Sequence, residues 1–316
     1  LLDMPPLQFA DLPGLRMSYY EAGPKDDPVP MVLLHGWPEL AFSWRHQIKA
    51  FAAAGRRVIA PDQRGFGATP GPEDRALYDL DHLTADIVHL LDHLKIERAI
   101  VVGHDWGGAV AWGFPMRYPD RTAGVVGLNT PHAARAPVDP IAIYRKRFGD
   151  SMYIVQFQDS QAPDGVFASR VEATFDALMR KPSPRPTGPT NLDLVSLVRD
   201  YDPARDPRAP ILDAEERAVF IEAFRRSGFT GGINWYRNIT RNWERAASLD
   251  HTLRMPCLMI TAEQDAVLPP SASQGMEALI PDLERHNVMD SGHWTQQEQA
   301  QEVNRVILDW RRRRFG

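Results

Sequence analysis

The segment "AIVVGHDWGGAVAW", from Ala99 to Trp112, leaves its backbone few choices. It begins as an unbroken apolar run suited to a buried strand and continues in residues suited to a helix. Only Gly103-His104-Asp105-Trp106-Gly107-Gly108 lies between the two. So short a connection demands a strained turn, and the glycines of Gly103-x-Asp105-x-Gly107 permit one. Such a turn holds its apex side chain, here Asp105, up at the C-terminal edge of a sheet. The simpler alternative is that Asp105 caps the following helix, a role Asp fills well.

The same rhythm runs through the front of the chain. "LRMSYYEAG" follows a Pro-Gly turn, and "PMVLLHG", "RRVIAPD", "RAIVVGH" and "TAGVVGLN" read as short buried parallel strands. Helical patterns lie between them, including "AFSWRHQIKAFAAAG", closed by Gly55, and "DLDHLTADIVHLLDHLKI". The fold class expected is therefore α/β, a mostly parallel central sheet covered by helices on both faces. Near Thr130-Pro131 the rhythm stops. From there to about Glu244 the chain reads as mostly helical, with "RKPSPRPTGPT" (Arg180 to Thr190) as a long Pro-rich loop. "MPCLMITAEQD" then resumes the strand pattern, and "QQEQAQEVNRVILDWRRRR" reads as a final amphipathic helix. We expect a core made of residues 1–130 and 246–316, interrupted by a helical cap at 131–245.

At 316 residues, 43% of them hydrophobic, the chain can bury a large core without a covalent staple. Its single Cys257, in the apolar run "CLMIT", is expected to be a buried, inert thiol; one cysteine and no leader-like start fit a reducing, cytoplasmic setting. A net charge of −5 argues against a nucleic-acid partner, and no apolar run reaches the roughly eighteen residues of a membrane span. "RRRR" at Arg311 to Arg314 reads as a solvated helix terminus.

A carboxylate at the apex narrows the chemistry. With an ordinary pKa of about 4 it is already an anion and needs no base to become a nucleophile. Attack on an acyl group would give a reactive anhydride, whereas attack on a saturated carbon gives an ordinary ester. Asp105 therefore suits displacement at an sp3 carbon, after which the ester must be hydrolysed with a water, a base and an oxyanion hole. "MDSGHWTQ" offers His293 in a loop after a strand-like run, and "LMITAEQDAVLPP" offers Asp265 after a buried strand. Nucleophile, acid, histidine is a recurrent chain order on this architecture. Taken singly, Asp265 could begin a helix and His293 could be a turn residue. Oxyanion donors are expected from the backbone N–H groups of Trp106 and of Trp37 in "LLHGWPEL", where Pro38 fixes the loop direction and a cis bond is open to proline. Trp37, Trp106, Phe157 and Trp235 suggest a mostly apolar substrate pocket.

With these residues in hand, "HGWPE", "GHDWGG", "GGINWYRN" and "SGHWTQ" resemble the motifs of epoxide hydrolases of the α/β-hydrolase superfamily, the type with two lid tyrosines, over nearly the whole chain. The resemblance implies Asp105 as nucleophile, His293 as base and Asp265 as its orienting acid. It also implies that Tyr153 in "MYIVQFQ" and Tyr236 in "NWYRN" hydrogen-bond the epoxide oxygen, one of them donating a proton as the ring opens. The partners implied are a small apolar epoxide and water, with no cofactor and no metal. A haloalkane dehalogenase shares the Asp turn, but commonly has Asn where Trp37 stands and lacks the tyrosine pair; a silent ligand binder on the same fold is the alternative outside enzymes. Either tyrosine alone could be an aromatic packed between lid and core.

Other motifs point less far. His89, His93 and Asp86 have metal-compatible spacing, but read better as a solvated helix face. "DQRGFGAT" reads as a tight turn, and Asn129 in "GLNTPH" cannot act as an anionic acid. Asn238-Ile239-Thr240 matches a glycosylation acceptor, but it lies in the lid motif and means little without secretion.

Overall fold

The computed structural model describes residues 3–183 and 192–316. Eight strands form one sheet: β1 (Gln8–Leu12), β2 (Leu15–Ala22), β3 (Met31–Leu34), β4 (Val58–Pro61), β5 (Ala99–His104), β6 (Thr122–Leu128), β7 (Cys257–Ala262) and β8 (Leu283–Val288). Their order is β1-β2-β4-β3-β5-β6-β7-β8, antiparallel where β2 meets β1 and β4 and parallel everywhere else.

Helices cover both faces. On one lie α1 (Arg45–Ala53) and the last helix of the chain; their Ile48, Phe51, Val303, Ile307 and Trp310, with Trp44 just before α1, pack on Leu33, Val102 and Leu128. On the other lie α2 (Leu80–His93) and α3 (Trp106–Arg117), whose Ile87, Leu90, Val110 and Phe114 pack on Val32, Leu34 and Val101. Adjacent strand residues point to opposite faces, so a strand buried on both sides must be apolar at every position. That is why β3 and β5 read as continuous runs.

Between β6 and β7 the described residues form α4 (Pro140–Phe148), α5 (Tyr153–Asp159), α6 (Ala162–Ser169), α7 (Val171–Leu178), α8 (Leu194–Arg199), α9 (Ala214–Ser227), α10 (Thr230–Tyr236) and α11 (Ile239–Arg245). Their Phe167, Phe175, Phe220 and Phe224, with Phe229 just before α10, build an aromatic core beside the sheet. Of the Pro-rich loop expected at 180–190, residues 184–190 lie outside those described; Arg180 bridges to Pro210. After β8 come α12 (Thr295–Glu298) and α13 (Ala300–Phe315).

Two expectations are corrected. The final arginine run is not wholly solvated: Arg311 is buried and its Nη2 donates to Asp27 Oδ1 at 2.5 Å. Asp86 does not share a solvated face with His89 and His93, because it is buried under a two-pronged bond from Arg64 at 2.7 and 2.8 Å. Asn238 is buried and donates to Arg75 O and Asn234 O, so its amide is not presented as a glycan acceptor. Cys257 is buried, and burial pushes its thiol up to about 12. No helix among the described residues is long and apolar enough to cross a membrane, and none of their His, Cys, Asp or Glu clusters could hold a metal.

Candidate active site

The turn between β5 and α3 places Asp105 at φ +52°, ψ −121°, a conformation that non-glycine residues rarely adopt. Close approach holds it there. A side chain at Gly107 would begin 2.0 Å from Leu34 O, and one at Gly36 would begin 2.4 Å from Asp105 Cβ. The two motifs "HGW" and "GHDWGG" are thus the two halves of one tight contact. The Thr130 hydroxyl donates to Asp105 O at 2.6 Å, and the Trp112 indole donates to Thr130 O at 2.9 Å, bracing the turn from behind.

At the carboxylate, Oδ1 accepts the Trp37 backbone N–H at 2.8 Å; the Trp37–Pro38 peptide bond is cis. Trp106 follows as the first residue of α3, where a backbone N–H has no partner inside the helix. His293, in the loop between β8 and α12, brings Nε2 to 3.5 Å from Asp105 Oδ2 and Nδ1 to 3.0 Å from Asp265 Oδ2. Asp265 follows β7. Its Oδ1 accepts the N–H groups of Val267 and Leu268 at 2.8 and 3.0 Å, and its Oδ2 also accepts from Asn129 Nδ2 at 2.7 Å. A buried carboxylate on Nδ1 keeps the proton on that nitrogen and leaves Nε2 facing Asp105.

These contacts set the charges. Burial pushes the His293 imidazole down, but the charge of Asp265 and hydrogen bonding to Asp105 and Asp265 hold it well above the usual histidine range. Burial pushes Asp265 up, yet the His293 charge, the Leu268 N–H and Asn129 keep it well below the usual carboxylate range.

Tyr153 at the start of α5 and Tyr236 at the end of α10 are both buried, their ring centroids 5.6 Å apart. Trp37 stacks on Tyr153 at 6.4 Å and 14°, and meets Tyr236 edge-on at 5.6 Å. Phe157 joins the same cluster, 5.7 Å from Trp37 and 5.1 Å from Tyr236. Trp106 packs on Tyr236 at 5.2 Å. Trp235, expected along the pocket wall, packs behind Trp106 at 5.9 Å and donates from its indole to Arg64 O at 3.0 Å. Burial raises both phenols, followed by the Asp105 charge for Tyr153 and by Tyr153 and then Asp105 for Tyr236, so both stay protonated.

The residues missed in the sequence stand one layer back. Glu39, fully buried in the otherwise apolar "HGWPELAF", accepts the Gly36 N–H at 2.8 Å and lies 2.7 Å from His104 Nδ1. Gln296 Nε2 donates to its other oxygen at 2.9 Å. The far nitrogen of His104 reaches His293 O at 2.6 Å, so Glu39 ties the Trp37 loop to the histidine loop. A charge inside an apolar run was the available signal. Burial alone would raise the Glu39 carboxyl, but the His104 ring and the Gly36 N–H outweigh it and bring it down from 4.5 to about 2. A depressed folded pKa gives stability that is present above the unfolded value and lost as pH falls through the folded one. Glu39→Gln is therefore expected to lower stability at neutral pH by on the order of 3 kcal/mol, with the difference closing between pH 4.5 and about 2. Urea melts of both proteins across that range check this; a difference independent of pH would contradict it.

Residues 29–300 match the family model for the alpha/beta hydrolase fold. The chain is 40% identical to epoxide hydrolase A of Mycobacterium tuberculosis over 97% of each chain. It is 34% identical to bifunctional epoxide hydrolase 2 of Sus scrofa over 94% of its own length, spanning 53% of that longer protein. The crystal structure of epoxide hydrolase A from Mycobacterium thermoresistibile superposes with a TM-score of 0.88 at 36% identity, covering 98% of both chains. A strained Asp turn beneath a histidine and two phenols, on a chain with these relatives, leads to one assignment: the protein belongs to the epoxide hydrolases of the α/β-hydrolase fold.

Proposed function

We propose that the protein adds water to a small, mostly apolar epoxide and releases a vicinal diol through a covalent ester on Asp105, without cofactor or metal. The observation that carries this reading is the convergence on Asp105 of one N–H donor, one histidine and a pair of buried phenols. Residues 131–245 act as a helical cap that supplies Tyr153, Phe157, Trp235 and Tyr236, while residues 1–130 and 246–316 form the core that supplies Asp105, Asp265 and His293.

In the first step Asp105 Oδ2 attacks an oxirane carbon, the C–O bond breaks, and the leaving oxygen takes a proton from Tyr153 or Tyr236. An alkoxide is a poor leaving group without an acid, which is what two protonated phenols supply. The Asp105 charge helps to hold the phenols protonated, and esterification removes that charge. Proton donation thus becomes easier as the oxygen needs it.

The same loss acts on His293. Part of what holds its proton is Asp105, so forming the ester lowers the histidine's pKa; its proton is given up to the phenolate left by ring opening, and Nε2 is free to act as base. His293, oriented by Asp265, then takes a proton from water, which attacks the ester carbonyl carbon. The N–H groups of Trp37 and Trp106 bind the oxyanion; its collapse breaks the ester C–O bond, the departing alkoxide takes the proton that His293 drew from water and leaves as the diol, and the proton left on the Asp105 carboxyl returns to Nε2, restoring the ion pair. Trp37, Trp106 and Phe157 line the apolar wall, with Trp235 behind them.

Diol formation from a panel of aryl and alkyl epoxides tests the activity, with bromoalkane turnover expected to be absent. Tyr153→Phe or Tyr236→Phe should each slow ester formation by about 10- to 100-fold, and the double variant by at least about 1000-fold. Stopped-flow quenching of the aromatic fluorescence reads that step. Wild-type ester formation in the double variant would remove the phenols from the reaction.

A further inference from the structure

The Trp37 indole nitrogen is buried and has no hydrogen-bond partner, although the residue is only 3% exposed. Most buried polar groups in folded proteins are paired, and one that is not deserves a reason. Trp235, Trp112, Trp243 and Trp294 each donate to a backbone oxygen, at 3.0, 2.9, 2.8 and 2.7 Å. Trp44 and Trp310 are also unpaired, but they sit in the core on the far face of the sheet. Among the described residues, Trp37 alone combines an unpaired indole with a ring that touches both Tyr153 and Tyr236.

Its direction is partly fixed. The carbon next to the nitrogen, Cδ1, lies 2.7 Å from where a side chain on Gly232 would begin. The pyrrole edge therefore packs against α10 at a position where only glycine leaves it room, with the Phe66 ring alongside. Gly232 and Tyr236 are four residues apart on that helix, hence on one face. The pyrrole edge of Trp37 thus lies against the face of α10 that also carries Tyr236.

We infer that the Trp37 indole N–H is a substrate-recognition donor, and that this enzyme favours epoxides carrying an ether or carbonyl oxygen on the substituent next to the oxirane ring. The inference rests on the oxirane lying between Asp105 and the two phenols, as proposed above. An acceptor there satisfies a donor that an alkyl or aryl substituent leaves bare, and the surrounding aromatic rings exclude water that would compete. The backbone of Trp37 serves Asp105 while its side chain reads the substrate.

The test compares phenyl glycidyl ether with 4-phenyl-1,2-epoxybutane, which differ only by O in place of CH2. In the wild type the ether should have the higher kcat/KM. In Trp37→Phe, which keeps the backbone N–H and an aromatic ring, the ratio of the two kcat/KM values should fall about five- to tenfold, whatever change is common to both. An unchanged ratio would overturn the inference, including the case where both substrates slow equally because the indole serves only as packing. A second arm needs neither turnover nor the variant. In wild-type protein with 15N-labelled tryptophan, the Trp37 indole resonance, assigned by NOEs to Tyr153 and Tyr236, should move downfield with 3-phenoxy-1,2-propanediol and not with 4-phenyl-1,2-butanediol. No such difference overturns the donor role. If neither epoxide yields diol, the proposed function fails, and the resonance still decides on the donor.

Discussion

Replacing His293 with Gln is expected to yield a folded protein that gains the mass of one epoxide and then all but stops. Ester formation needs the Asp105 anion, the Trp37 N–H and the phenols, none of which the substitution removes. Hydrolysis needs a base at Nε2, and Gln supplies none. Diol turnover should fall by about 1000-fold or more while the burst of ester formation survives. Intact-protein mass spectrometry after mixing with excess epoxide reads the adduct directly. A folded variant with no mass gain would mean that His293 acts before the covalent bond forms, and the two-step scheme would fail.

Replacing Asp105 with Ala should remove both steps, giving neither diol nor adduct. The raised pKa of His293 supplies an independent readout, because Asp105 is one of its supports. In the variant the histidine should titrate lower than in the wild type, which NMR of its ring protons can follow. For stability the sign is set by the raised folded pKa: the wild type's contribution is fully present below the unfolded value and is lost as pH rises through the folded one. Asp105→Asn separates chemistry from the turn, since Asn tolerates positive φ better than Ala. Residual diol from both variants at more than a trace would exclude Asp105 as the nucleophile.

β5 and β7 were legible because each is buried on both faces and so reads as a continuous apolar run, whereas β8, an edge strand with Arg285 and Asn287 exposed, reads only as strand-like. β5 and its glycines placed Asp105 at a turn apex, and β7 and β8 placed Asp265 and His293 at the ends of neighbouring strands. β1 was missed: it is a short, half-exposed edge strand, "QFADL", whose pairing with β2 leaves little apolar signature. The buried charges were illegible for another reason. Arg311 finds Asp27 across 284 positions and Glu39 finds His104 across 65, so a local pattern shows a charge and assigns it to solvent. In the sequence, Asn129 shows only that it cannot be an anionic acid. The structure gives it a different part, donating to Asp265 Oδ2 at 2.7 Å and bracing the carboxylate that orients His293.

The covalent ester is tested most directly by one turnover in H2(18)O with enzyme in excess over epoxide. Water that attacks the Asp105 ester carbonyl leaves its oxygen in the carboxylate, while the diol receives an unlabelled oxygen from Asp105. Mass spectrometry of the peptide containing Asp105 should show the label, and the first diol released should lack it. Label in that first diol, with none on Asp105, would mean that water opens the epoxide directly and that no ester forms.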